Sequence, residues 1–197
     1  MGALPKGIAS PVTLQQQYSL LSRESEWEVM PAALHNESGI LPWSPLAGGF
    51  LAGKYERGSI PAKDTRAGSG KPLYQWTSAA YADVDRNWST IALLKQIAAR
   101  TGKTPAQIAL AWLSDRPAVT APIFGARTVA QLREDLGAVD LHLDAEPTEA
   151  LEKASRPQPG SYPYGGFGVG QRARPMDGSD GLTPLVAAGS SAPLDHR

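Results

Sequence analysis

Ile40-Leu41-Pro42-Trp43-Ser44-Pro45-Leu46-Ala47-Gly48-Gly49-Phe50-Leu51-Ala52-Gly53-Lys54-Tyr55-Glu56-Arg57-Gly58 reads as a short buried strand that runs straight into a glycine-rich loop. Ile40, Leu41 and Trp43 suit a strand, while Pro42 and Pro45 bracket its exit and remove two backbone donors, as suits a chain leaving a sheet. Gly48, Gly49 and Gly53 let the backbone approach a ligand closely, and Ser44 and Lys54 offer a hydroxyl and a cation to a phosphate or amide. Trp43 adds a flat face for stacking. Gly48 to Lys54 also has the outline of a phosphate loop, Gly-x-x-x-x-Gly-Lys, but Tyr55 stands where a Ser or Thr hydroxyl must hold Mg²⁺. A core tryptophan followed by an ordinary loop is the plainer alternative, and the flanking chain has to decide.

Upstream, Val12 to Leu21 alternates and carries Leu14, Tyr18 and Leu20 among Gln15, Gln16 and Gln17, which predicts a strand. The three amides face either a ligand or plain solvent at a strand end. Ser25 followed by Glu28 has capping-box spacing, with Trp27, Met30 and Leu34 on one face and Gly39 as terminator, so a helix is expected between the strands. Pro31 is expected to kink that helix or loosen its first turns.

Downstream, Ser59 to Ala82 is rich in Gly, Pro, Ser and Lys and is read as a long functional loop or lid, made basic by Arg57, Lys63, Arg66 and Lys71. Asn87 to Thr101 places Trp88, Ile91, Leu94 and Ala98 on one side and stops at Gly102. Thr104-Pro105-Ala106-Gln107 then combines N-cap, proline at the first helical position and capping glutamine, with Ile108, Ala111 and Trp112 buried and Pro117 marking the end. Val119 to Phe124 is a third short strand, delivering the chain into Gly125 and a helix opened by Thr128 and Gln131. Gly125, Ala126 and Arg127 sit at that helix's N-terminus, where free N–H groups attract an anion, although Arg127 reads equally well as a solvated turn residue. Leu132, Leu136 and Val139 are expected to pack this helix, and Asp144 to cap a last one reaching Ala154.

The 197 residues carry no net charge and no cysteine, so nucleic acid and anionic membranes are not favoured partners, and disulfides, thiolate nucleophiles and cysteine zinc sites are excluded. No apolar run approaches the ~18 residues of a spanning helix, Met1 to Ser10 lacks a charged and apolar leader, and the expected address is the cytoplasm. His35, His142 and His196 are scattered without ligand spacing, so no metal site is assigned. Residues 1–155 are read as the folded part and 156–197, dense in Gly, Pro and Ser, as a mostly disordered tail in which Ser161 to Tyr164 docks through its tyrosines.

Strand, helix, strand, long loop, helices, strand, helix is the alternation of a parallel α/β fold, and without Gly-x-Gly-x-x-Gly after any strand a barrel is preferred to a Rossmann sheet. Three phrases, Leu-Pro-Trp-Ser-Pro-Leu-Ala-Gly-Gly, Thr-Pro-Ala-Gln-Ile-Ala-Leu-Ala-Trp-Leu, and Gly-Ala-Arg-Thr followed by Gln-Leu-Arg-Glu-Asp-Leu, resemble the C-terminal half of an aldo-keto reductase. The similarity runs from about Gly7 to Tyr164. It implies part of a (β/α)₈ TIM barrel, its C-terminal strands and helices, from a family that reduces aldehydes and ketones with NADPH.

By that resemblance Gln15 bonds the nicotinamide amide and Trp43 stacks on its ring, Ser44, Leu46 and Gly48 line the pyrophosphate with Pro45 among the cofactor-binding positions, and Lys54 and Arg66 reach over from the loop. Gly125, Arg127, Gln131 and Glu134 hold the adenosine end, Arg127 near the 2′-phosphate. Asp135 belongs to the same set but departs from the asparagine common there. The family's Asp, Tyr, Lys and His tetrad lies on strands earlier than any in this chain, so no catalytic residue is assigned. Tyr55, Tyr74 and Tyr81 fall in the long loop, Tyr162 and Tyr164 in the tail, and Tyr18 on a strand with no matching lysine. Three strand and helix units are legible, whereas such a barrel takes eight in about 250 residues, which marks the chain as a fragment with Met1 to Leu4 an artificial start. The expected partner is a small carbonyl substrate in a complete form, with self-association through exposed sheet edges. A catalytically inert NADP(H)-binding or interaction protein is the alternative, and the substrate is not legible.

Overall fold

A computed structural model describes residues 11–172, in a chain that divides into two units, Met1–Pro157 and Gln158–Arg197. The expectations placed on Met1 to Ser10, on residues 173–197 and on His196 lie outside the described residues.

In the first unit β1 (Thr13–Gln17) pairs in parallel with β2 (Gly39–Trp43), Gln15 opposite Leu41 and Gln17 opposite Trp43. Residues in parallel register share a face, so Leu14, Gln16, Ile40 and Pro42 point one way and Gln15, Gln17, Leu41 and Trp43 the other. The first face lies under the helices and Ile40 is wholly buried, whereas Trp43 on the second keeps 42% of its surface exposed.

The third strand is less regular than its sequence suggests. Ile40 donates to Ala118 O and accepts from Thr120 N, and Ile123 donates to Pro42 O at 2.7 Å, so Val119 to Phe124 runs parallel to β2 as two isolated bridges. Pro122 has no N–H to give, and neither has Pro42 on the facing strand, which breaks the ladder at its middle. Gly39 belongs to this packing: a Cβ there would meet Thr120 Oγ1 at 2.1 Å. It opens β2 and does not end the preceding helix, which stops at Asn36, where the Asn36 amide donates to Ala32 O at 2.7 Å.

That helix, α1 (Val29–His35), starts later than the capping-box spacing predicts. Ser25 donates instead to Gln17 O, and Glu28 stands at the N-cap with no side-chain bond. Pro31 falls in the first turn, where its missing N–H has no intrahelical partner to lose, so no kink is required. Met30 and Ala33 are the buried pair, and Leu34 is exposed.

The second half of the expected long loop is a helix, α2 (Pro72–Ala82). Pro72 acts as a first-turn residue and not as a breaker, and the ten residues after it contain neither Gly nor Pro. Tyr74 and Tyr81 are therefore helical. The next two helices match the sequence reading: α3 (Asp85–Thr101) ends at left-handed Gly102, and α4 (Pro105–Ser114) carries the reciprocal Thr104 and Gln107 capping bonds. Ile91, Leu94 and Ile97 meet Ile108, Trp112 and Leu113 in the core.

α5 (Val129–Leu136) is capped by Thr128, which accepts from Gln131 N, but its apolar residues do not pack as expected. Leu132 and Leu136 are 42% and 48% exposed and Val139, beyond the helix, 66%, because no described element covers that side. α6 (Ala145–Ser155) has Asp144 at its N-cap without a side-chain bond, and it is tied to the segment between β1 and α1 by Arg23, whose Nη1 donates to Glu152 O and Ser155 Oγ. In the second unit α7 spans Gly166–Arg172.

Candidate functional site

Where β2 ends the chain turns sharply: Ser44, Ala47, Gly48, Gly49 and Gly53 all have positive φ. Three of the five are glycines, as the sequence anticipates, while Ser44 and Ala47 are non-glycine residues in a strained left-handed conformation, Ala47 within a single 3-10 turn. Tyr55 staples this turn. Its buried hydroxyl donates to Gly48 O at 3.1 Å and accepts from Ala67 N, and its ring rests on Phe50. The phosphate-loop reading fails here, since that motif opens a helix, whereas the next helix after Lys54 begins at Pro72.

The turn walls a cavity of about 1160 Å³, and the opposite wall comes from the third strand's exit and α5. Trp43, Ser44, Pro45, Leu46, Gly48, Lys54 and Arg66 line it together with Gly125, Arg127, Gln131, Glu134 and Asp135. Gln15 is not in this lining. It stands opposite Leu41, one pleat below, and the glutamine that reaches the cavity is Gln17, opposite Trp43.

Arg127 donates from its backbone N to Gln131 Oε1 and from Nη1 to Asp64 O, so the loop preceding α2 is hung across the cavity from the start of α5. The same loop and Arg127 form a recess of about 340 Å³ lined by Lys63, Arg66, Lys71 and Arg127 with Asp64, Thr65, Ser69 and Tyr74. Arg66 and Lys71 both lie against the Tyr74 ring. Asp135 is buried in the cavity wall, and its carboxyl is raised above the usual carboxylate range first by burial and then by Glu134, with Lys54 pulling the other way.

Two contributors were hidden from sequence reasoning. Tyr81 was assigned to a loop, but on α2 it turns inward to accept from Gln17 Nε2 at 2.7 Å. Ser22 follows β1 and stands 3.4 Å from the same hydroxyl. The regular spacing of Leu73, Tyr74, Thr77 and Tyr81 after Pro72 was the signal available.

Tyr18 is no proton donor. It is buried against Trp112, its hydroxyl donates to Glu26 Oε1 at 2.7 Å, and burial, then the Glu26 charge, push its ionisation well above the ordinary tyrosine value. His35 is exposed, and His142 Nδ1 pairs with Asp115. Among the described residues no group of three or more His, Cys, Asp or Glu is placed to hold a metal, and no helix is long and apolar enough to cross a membrane.

The sequence profile of the Aldo/keto reductase family matches residues 2–156. The chain belongs to that family. Its described parallel pair β1 and β2, the segment bridged to β2 and the helices around them are accordingly part of the family's barrel. Among aldo/keto reductases and their kin, the chain is 40% identical over 136 residues to "Uncharacterized oxidoreductase YrpG" of Bacillus subtilis (strain 168), covering 68% of this chain and 37% of that protein. It is 35% identical over 136 residues to "Probable voltage-gated potassium channel subunit beta" of Arabidopsis thaliana, covering 68% and 40%. It is 32% identical over 154 residues to "Aldo-keto reductase NECHADRAFT_45914" of Fusarium vanettenii, covering 78% and 39%. The chain thus spans about two fifths of the length of these relatives.

The lining suits a dinucleotide. The indole of Trp43 gives a ring a face, Lys54, Arg66 and Arg127 give phosphates cations, and the cavity exceeds the 300 to 1,000 Å³ or so of an ordinary small-ligand site.

Proposed function

We propose that this chain supplies the NADP(H)-holding part of a carbonyl-reducing aldo-keto reductase, through residues 1–155, and that it does not reduce carbonyl compounds by itself. What supports the reading is convergence: two segments some seventy residues apart, one following β2 and one leading into α5, bring eleven of the thirteen anticipated cofactor positions to one cavity, and Arg66 joins them from the loop between. When bound, NADPH supplies hydride to a carbonyl carbon. Trp43 offers its face to the ring, Lys54 and Arg66 offset phosphate charge from the loop, and Arg127 with the α5 N-terminus receives the remaining phosphate. Arg127 and Tyr55 hold the loop that carries Arg66 against this cavity.

The inactivity rests on the tyrosines. A reduced carbonyl needs a proton donor tuned near the working pH, a contribution of about 10² to 10⁴ in rate. Tyr18 is locked in the core, Tyr55 spends its proton on Gly48 O, the partners of Tyr81 are an amide and a hydroxyl with no cation among them, and the two cations beside Tyr74, Arg66 and Lys71, lie over its ring, about 6 Å from the centroid.

Purified chain is expected to bind NADPH, read by tryptophan quenching, and to leave NADPH unoxidised in the presence of 4-nitrobenzaldehyde. Adding the five preceding strand–helix units of a relative should restore turnover. No NADPH binding by the chain or by the completed barrel would overturn the cofactor role. Turnover by the chain alone would overturn the inactivity. An inert binding protein, the rival reading, predicts the first result but no turnover in the completed barrel.

A further inference from the structure

Tyr81 carries one hydroxyl proton and two lone pairs, and the structure accounts for them unevenly. Gln17 Nε2 donates to the oxygen at 2.7 Å, a bond of full strength. The proton's one acceptor among the described residues is Ser22 Oγ at 3.4 Å, well beyond the ~2.7 to 2.8 Å typical of O–H···O bonds. The donor side of Tyr81 is therefore underused. The ring is fixed all the same: Phe50 packs on it at 5.6 Å between centroids, and Asn87 donates to the Tyr81 carbonyl at 3.0 Å.

Gln17, Ser22 and Tyr81 all line the large cavity, and Gln17 is the register partner of Trp43. A fixed hydroxyl with a proton to give thus stands in the wall next to the tryptophan. All three side chains are uncharged, and the charged residues that follow them in the same cavity wall, Glu24 and Arg86, are of opposite sign, so a neutral acceptor costs least to desolvate there. Leu21, Leu73, Trp76 and Val84 supply apolar wall around them.

We propose that Tyr81, oriented by Gln17, is the subsite that takes the oxygen of an uncharged carbonyl compound with an apolar or aromatic body. Choosing a carbonyl rests on the function proposed above; the underused donor does not. Tyr81 binds and orients this oxygen, and nothing beside it equips it to deliver the proton.

The test compares 4-nitroacetophenone with 1-ethyl-4-nitrobenzene, which differ by the carbonyl oxygen, by saturation-transfer NMR on the full chain with and without NADP⁺. Wild type should prefer the ketone about tenfold, and Tyr81→Phe, which keeps the ring on Phe50, should bring the ratio close to one. A variant that merely loosened the cavity would weaken both ligands and keep the ratio. Absence of any preference in wild type, or its survival in Tyr81→Phe, overturns the proposal. Loss of NADP⁺ binding alone counts against the cofactor role, because the ratio is also read without NADP⁺.

Discussion

Arg127 Nη1 donates to the main-chain carbonyl oxygen of Asp64 at 2.7 Å, joining two positions 63 residues apart. One guanidinium therefore serves both the loop over the cavity and the wall where phosphate is expected. Its remaining N–H groups can meet a phosphate while Nη1 keeps the loop in place. Arg127→Ala should weaken NADPH by about 10- to 100-fold, the worth of a hydrogen bond between charged groups, and NADH far less. Fluorescence titration with both cofactors checks this. Equal losses for the two would mean that Arg127 acts only by holding the loop.

Tyr18, Glu26 and Arg23 form a buried chain, with Arg23 Nε and Nη2 bonding both Glu26 oxygens. Tyr18 keeps its proton in the folded chain at pH values where the unfolded chain has lost it. Stability from this group is whole below the unfolded value of about 10 and falls as pH rises beyond it. Ultraviolet titration should show Tyr18 ionising last of the six tyrosines, together with unfolding. Tyr18→Phe should cost about 1 kcal/mol at neutral pH and flatten the alkaline decline. Ionisation of all tyrosines in one step near pH 10, with the fold intact, would contradict the burial argument.

The sequence made this site legible where chemistry is local. The Thr104 and Gln107 box, left-handed Gly102 and the glycines after Trp43 depend on immediate neighbours, and each took its anticipated form. Leu132 and Leu136 have helical apolar spacing, but spacing cannot say whether anything lies opposite, and here nothing described does. Ser25 had the right partner three residues on, yet the Gln17 carbonyl competed for its hydroxyl and won. The Gly, Pro, Ser and Lys content of Ser59 to Ala82 reads as loop throughout, yet Pro72 takes a first-turn position, where proline starts a helix. That composition hid α2, and with it Tyr81.

Asp135 is buried beside Glu134 with only Lys54 in compensation, so its folded-state carboxyl holds a proton more tightly than the unfolded one. The sign is that of a cost. Ionising Asp135 disfavours the fold, and stability falls as pH rises from the unfolded value through the raised one. Asp135→Asn should raise the melting temperature at pH 7 by about 2 °C, and change little at a pH low enough to protonate the aspartate. Calorimetry at the two pH values decides it. A variant equally or less stable at pH 7 would mean that the carboxylate has better company than its neighbours suggest.

β1 pairs only with β2 among the described residues, so its other edge offers backbone donors and acceptors, of which Gln17 O is taken by Ser25. On the other side of β2, the third strand and α5 expose apolar surface of their own at Ile123, Leu132 and Leu136. An open parallel edge and a separate apolar patch each offer a place for another chain to dock. At micromolar concentration the isolated protein should elute larger than its 20.9 kDa on size exclusion with light scattering. Leu132→Glu combined with Leu136→Glu should shift it toward monomer at little cost to the melt, since both leucines are exposed and the core lies elsewhere. The same pair of changes should prevent complementation by the missing strand–helix units, because the face that self-associates is the face they would occupy. A wild-type chain that stays monomeric with a sharp cooperative melt would show that this surface is stable in water as it stands.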